Sequence, residues 1–234
     1  MNKVKHIIVT RLALKWRFSE TKLSWDDFVN ESIELMTKFT RPSLKNQDNQ
    51  DFTLLSIVDE SVTDYGNTLE NEVVLKVETE KNNGYPKKAM INAVNKYISE
   101  IQGYDSVILT RLDRDDALRF DFIDNVQNYL KDKPNNYIDL NNSITYNSRG
   151  KKAHNSKKYF NTFVSPFVST HEKIEDDKIK CISLLVDHDQ VPKYLKGRKV
   201  NDLYAMQVIH GRNLVNRIYG DNINIDLKEY GFTK

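Results

Sequence analysis

Ser106-Val107-Ile108-Leu109-Thr110-Arg111-Leu112-Asp113-Arg114-Asp115-Asp116 decides the fold: a short apolar run delivers three carboxylates within four positions. The run is the length of one buried strand, and carboxylates this close repel one another unless solvent or a cation separates them. The segment therefore reads as a strand whose end opens on a cleft. The bland alternative is a solvated acidic turn capping a helix that begins at Ala117, favourable with the helix dipole.

Working outward from this strand supports the cleft. Residues 85–101 space Ala89, Ile91, Ala93, Val94 and Ile98 among Lys and Asn as an amphipathic helix does, and Gly103 follows as a stop. Strands are expected at 6–11, at 52–59 and at 72–77, and a helix at 25–39 with Ser24 as its N-cap and Pro42 just past its end. A second helix is expected at 117–130. Alternating strands and helices imply an α/β fold with a mostly parallel central sheet flanked by helices. In such sheets ligands bind beyond the carboxyl ends of the strands. Thr10-Arg11, Asp59 and Arg111-Leu112-Asp113 end three of them, so polar groups from distant parts of the chain converge on one edge.

The second half is less regular. Residues 135–158 are rich in Asn, Ser and Lys and read as an exposed connection around a short strand at 137–140. Residues 159–168 and 178–186 are β-prone, and 203–218 reads as a helix. The sole cysteine, Cys181, lies in an apolar run and reads as a packed small hydrophobe.

Composition bounds the partners. The 234 residues carry 35 Lys and Arg against 33 Asp and Glu, a formal charge of +2 that gives no global pull toward nucleic acid. One domain, 1–234, is expected at this length. The N-terminal apolar stretch is too short for a signal or a spanning helix, so a cytoplasmic protein with no transmembrane segment is expected, with peripheral membrane association left open.

The acidic cluster suits a hard divalent cation, Mn²⁺ or Mg²⁺, which takes one or two carboxylates plus substrate phosphates. Leu112-Asp113-Arg114-Asp115-Asp116-Ala117-Leu118 resembles the Asp-x-Asp-Asp signature of GT-A glycosyltransferases. The longer segment from Thr110 is similar to the putative rhamnosyltransferase family of that superfamily. Ile8-Val9-Thr10-Arg11, Arg41-Pro42-Ser43-Leu44-Lys45-Asn46-Gln47 and Gln207-Val208-Ile209-His210-Gly211-Arg212-Asn213 fit the same family in the same order. The resemblance implies a nucleotide-diphospho-sugar transferase fold, with 1–118 as the nucleotide-binding half and 119–234 as the acceptor side. It implies a nucleoside-diphosphate sugar as donor and a glycan or glycosylated precursor as acceptor. It further implies that Thr10, Arg11 and Asp59 line the nucleoside pocket, that Asp113 meets ribose or metal, and that Asp115 ligates the metal. Asp59-Glu60-Ser61 departs from the Asp-Gly-Ser ending of many members of the superfamily.

Alternate side chains of an extended segment share a face, so Arg111, Asp113 and Asp115 are expected to point together. Arg111 then offsets the carboxylates, reaches a phosphate, or simply pairs with Asp113. An inverting transferase also needs a base for the acceptor hydroxyl. Asp202, heading the helix expected at 203–218, is the first candidate, against the reading as an N-cap. Asp187 and Asp189 of Asp187-His188-Asp189 are its rivals, against the reading as a polar turn. His210, with Asn213 or Arg212 in support, is expected near Asp115 as a further metal or diphosphate ligand, against the reading as a packed histidine. Two basic runs, Lys151, Lys152, Lys157, Lys158 and Lys193, Lys196, Arg198, Lys199, read either as solvated surface or as a loop over the donor phosphates. Trp16, Trp25, Tyr159 and Tyr204 read as core or as sugar platforms.

The other reaction classes considered are nucleotidyl transfer, two-metal nucleic-acid cleavage and non-catalytic nucleotide-sugar binding. The first lacks a Gly-rich, Lys-containing loop after the first strand, where the chain has Thr10-Arg11-Leu12-Ala13. The second lacks a basic balance.

Overall fold

A computed structural model describes residues 3–18, 21–80, 85–156, 164–213, 218 and 220–232. Four strands, β1 (Val4–Ala13), β2 (Thr53–Asp59), β3 (Glu72–Val77) and β4 (Ser106–Arg111), pair in parallel in the order β4-β1-β2-β3. The apolar runs explain the position of β1, β2 and β4, because strands covered on both faces need apolar side chains on both. Ile8, Leu54 and Ile108 point to one face, where α2 (Trp25–Leu35), α3 (Arg41–Lys45) and α5 (Phe122–Leu130) contribute Phe28, Leu44, Phe122 and Ile123. Ile7, Val9, Leu55, Ile57 and Leu109 point to the other, against Met90, Val94 and Ile98 of α4 (Lys87–Glu100). Each such buried side chain contributes roughly 1.5–3 kcal/mol. α1 (Lys15–Phe18) is a single turn after β1.

The remaining strands make the sheet mixed rather than mostly parallel. β8 (Ser169–Lys173) runs antiparallel to β4, and β6 (Asn136–Asn147) antiparallel to β8 and to β7 (Lys152–Asn155). β9 (Lys196–Ile209) lies parallel along β6 and meets β5 (Ala117–Leu118), and β10 (Asn222–Ile223) pairs with β7. Among the described residues the sheet has ten strands. No helix among them is long and apolar enough to cross a membrane.

Several sequence expectations change here. The helix from Trp25 does not stop before Pro42; it widens to π spacing over Met36–Thr40 and continues as α3. Pro42 sits in the first turn of α3, where its missing N–H costs little. Residues 117–130 are not one helix: Ala117 and Leu118 pair with Met206 and Ala205 of β9, and α5 starts at Phe122. Residues 135–155 are not a loose connection but the long β6 and its partner β7. Residues 178–186 turn into the short helix α6 (Ile182–Leu185), entered through Cys181 at φ 53°.

The largest change is at 203–218, where the structure has strand to Ile209 and not a helix. Its apolar residues fit either state, and the parallel partner β6 decides for strand. Asp202 is therefore no helix cap but a strand residue, at a register shift between β6 and β9. Of 159–168, residues up to 163 lie outside the described ones, and 164–168 form no strand.

Candidate functional site

Beyond β4 the chain is held tightly enough to aim its carboxylates. Leu112 is buried and its N–H donates to Val9 O at 3.1 Å, keeping the segment against β1. Asp113 to Asp116 then make a turn, closed by Asp116 N–H to Asp113 O at 3.1 Å. Thr40, from the π-helical turn, donates its hydroxyl to Asp116 O at 2.8 Å and approaches Asp113 O at 3.2 Å. Asp116 faces inward, 3% exposed, and Oδ1 accepts the Val208 N–H at 3.0 Å. This carboxylate ties the turn to β9, and a buried charge-assisted bond of this kind contributes about 1.5–3 kcal/mol.

That tie brings Asp115 to His210. Asp115 Oδ2 stands 3.0 Å from His210 Nε2 and accepts Asn213 Nδ2 at 2.9 Å. Asn213 also donates to Val208 O at 2.8 Å and accepts the His210 N–H at 2.9 Å, so it fixes both the loop and the pair. Both side chains remain partly open, 16% exposed for Asp115 and 12% for His210. The expected proximity of His210 and Asp115, with Asn213 in support, is what the structure has. Arg212 instead pairs with Glu31 at 2.9 Å.

Asp113 takes another partner. Its Oδ1 forms a short ion pair with Arg11 of β1, whose guanidinium lies 5.5 Å from the Tyr85 ring centroid. Burial alone would lower the Arg11 pKa, but Asp113 beside it overrides this and the net shift is upward. Asp113 is thus held by Arg11, a partner from the neighbouring strand β1. Arg111 also acts on His188, whose pKa is lowered by burial and then by Arg111, with Asp189 among the groups opposing.

Thr10 is fully buried and its hydroxyl has no hydrogen-bond partner among the described residues. Asp59, also fully buried, accepts from Ser61 and Thr79 and meets Lys15 Nζ at 3.0 Å. Burial pushes its pKa up, but these bonds outweigh that and hold it below the usual carboxylate range. Asp59 therefore braces the strand end, and its carboxylate is already engaged.

The three base candidates are separated by the fold. Asp202 is exposed, with both carboxylate oxygens 2.9 Å from the Tyr129 hydroxyl. The straight run from Tyr204 to Ile209 alone spans roughly 17 Å, at about 3.3 Å per residue, and Asp202 stands beyond it. It does not join the acidic cluster. Asp187 and Asp189 flank His188 at the start of the 3₁₀ turn His188–Lys193, on the side reached by Arg111.

Two sugar-platform candidates prove to be packed rings: Trp16 lies edge-on to Tyr85 and Trp25 stacks on Phe28. Tyr204 lies under Arg119, 3.9 Å from guanidinium to ring centroid, and Tyr159 falls outside the described residues. In the basic runs, Lys151, Lys152, Lys193, Lys196 and Arg198 are exposed, Lys199 pairs with Asp139, and Lys157 and Lys158 fall outside the described residues. Cys181 is buried and burial pushes its thiol pKa up, as a structural cysteine requires.

Asp115 and His210 fit a divalent ion as neighbouring ligands, since two ligands at about 2.1 Å and a right angle stand about 3.0 Å apart. Among the described residues no group of three His, Cys, Asp or Glu is arranged to hold a metal. Such a pair would supply two of the roughly six ligands a hard divalent ion takes, and substrate phosphates and water are the usual source of the rest. A cleft of about 570 Å³ opens beside His210, walled by α2 through Glu31 and Glu34 and by the turn after β6 through Arg149.

A family model described as "Putative rhamnosyl transferase" matches residues 20–221. No curated protein matches the chain. Among solved structures, TarS 1-349 of S. aureus in complex with UDP-GlcNAc is similar at 17% identity and TM-score 0.47, over 88% of this chain and 58% of that one. A putative nucleotide-diphospho-sugar transferase of Desulfovibrio desulfuricans G20 is similar at 12% identity and TM-score 0.40, over 89% and 84%. The chain thus spans less than two thirds of the TarS fragment.

Proposed function

The chain belongs to the family described as putative rhamnosyl transferases, and from that premise we propose that it moves a sugar from a nucleoside-diphosphate donor to a hydroxyl of a glycan or cell-surface precursor. The observation that carries this reading is the Asp115–His210–Asn213 cluster at the end of the parallel strands, the edge where α/β folds bind ligands. In this reading Asp115 and His210 hold Mn²⁺ or Mg²⁺, which when bound offsets the charge that builds on the departing diphosphate. Arg11 stays charged and keeps Asp113 oriented at the same edge. The site draws on both halves of the chain, because His210 comes from the half expected to serve only the acceptor.

The proposed chemistry is inverting, without a covalent enzyme intermediate. The acceptor oxygen bonds to the anomeric carbon as that carbon's bond to the diphosphate oxygen breaks, and the hydroxyl proton passes to a carboxylate. We assign that carboxylate to the Asp187–Asp189 turn rather than to Asp202, because Asp202 stands far along β9 from His210 with both its oxygens on the Tyr129 hydroxyl. A cytoplasmic location and peripheral contact with any membrane-anchored acceptor are part of the same proposal.

Incubating the protein with a panel of uridine-, thymidine- and guanosine-diphosphate sugars and Mn²⁺ tests it. Release of free nucleoside diphosphate from one donor, lost in excess EDTA, is expected. Release undiminished by EDTA removes the metal from the reading, and no release from any donor, with or without a glycan acceptor mixture, removes the reaction.

A further inference from the structure

Resting on that donor reading, we propose that Arg149 binds the diphosphate of the donor, and that Gly211 is glycine so that the Arg149 guanidinium can lie beside His210. The position of Arg149 follows from β6 and β9: Asn147 pairs with Ile209 at the end of the ladder, and Ser148 donates both N–H (3.0 Å) and hydroxyl (3.2 Å) to Ile209 O. Asn147 Oδ1 then accepts the N–H groups of Arg149 and Gly150, both at 3.1 Å, which closes the turn. Arg149 is thereby set against the residue that follows His210.

Gly211 has φ 87°, and a Cβ placed there would stand 2.6 Å from Arg149 Nη1 and closer still to Nη2 and Cζ. Only glycine accepts that backbone and leaves that space. The guanidinium packed into it makes no ion pair or hydrogen bond among the described residues. Of the acids nearby, Glu31 pairs with Arg212, Asp27 with the Ser24 hydroxyl, and Asp115 with His210 and Asn213, while Glu34 lines the same cleft. Arg149, His210 and Arg212 line the same cleft. A guanidinium lodged beside Gly211, without an ion-pair partner among the described residues and adjoining the Asp115–His210 pair, matches a ligand with several adjacent anionic oxygens, which it can grip through two N–H groups at once. A diphosphate shared between the metal and Arg149 has that chemistry, whereas a neutral sugar does not.

The test is calorimetry with Mn²⁺ and the mono- and diphosphates of uridine, thymidine and guanosine, on the wild type, Arg149→Ala, Arg149→Lys and Asp115→Ala. Arg149→Ala is expected to weaken the diphosphate at least about tenfold and the monophosphate less than about twofold, with Arg149→Lys between. Because Arg149 is exposed, the thermal midpoint should not move. Gly211→Ala should reproduce the diphosphate loss by displacing the guanidinium. Unchanged diphosphate affinity in Arg149→Ala, alongside a loss in Asp115→Ala, overturns the role of Arg149 and leaves the donor site standing. Equal losses for mono- and diphosphate also overturn it, and no diphosphate binding by the wild type overturns both.

Discussion

His210, just past the end of β9, and Asp202, in the middle of the same strand, are built differently. At the strand's end His210 meets Asp115, Asn213 braces both, and Asp116 fastens the acidic turn to Val208. In mid-strand, Asp202 meets the Tyr129 hydroxyl, and two weak side-chain approaches reach its carbonyl, on an open surface. A group that must act within a fraction of an ångström needs the first kind of support. The difference teaches that position relative to the ladder, and not residue type, separates the candidates.

The largest expected effect breaks this comparison outright if absent. Asp115→Ala should lower turnover by on the order of 10³-fold, the several kcal/mol associated with a lost metal ligand, while Asp202→Asn should stay within about twofold. Steady-state rates with one donor check both. Next in size, Asp189→Asn or Asp187→Asn should lower kcat about a hundredfold with donor affinity kept, as expected for a general base. If neither does and Asp202→Asn does, the roles of the two regions are reversed.

A smaller effect concerns the fastening. Asp116→Ala should destabilise the protein by about 2 kcal/mol, through the unpaired Val208 N–H and the loosened turn, and should also weaken donor binding. Denaturant unfolding measures the first. Asp202→Ala, exposed, should cost less than about 0.5 kcal/mol.

A further comparison sets the charged site against a histidine inside the sheet. His6 is 2% exposed, bonded to the Thr110 hydroxyl at 2.9 Å, and burial, then Lys5, lowers its pKa to about 3. Since the unfolded chain takes up this proton below about pH 6.5 and the folded chain does not, stability falls with pH between about 6.5 and 3. Relative to His6→Asn, the wild type should lose about 1.3 kcal/mol more between pH 7 and pH 5.5. Parallel pH profiles of the two proteins would mean that His6 is protonated in the fold.

The parallel core was legible because its information is local: β3 falls where Glu72-Val73-Val74-Leu75-Lys76-Val77 placed it, and Ser24 caps α2 as expected. β9 was not, because its state depends on β6, some sixty positions earlier, and a window of sequence contains no partner. The site divides in the same way. Asp115 and His210 were marked by motif and resemblance, but the roles of Arg11, Thr40 and Asp116 depend on contacts across 73 to 102 positions. The glycine at 211 was a visible signal, although what fills its space, Arg149, was not.

The most direct test of the central claim, that Asp115 and His210 together form the donor's metal-assisted site, is calorimetry of uridine, thymidine and guanosine diphosphates with wild type and His210→Ala, with and without Mn²⁺. The structure predicts that Mn²⁺ strengthens binding of one diphosphate to the wild type at least about tenfold, and that His210→Ala removes most of this gain while leaving metal-free affinity within about twofold. Identical gains from Mn²⁺ in both proteins would contradict it and return His210 to a structural role.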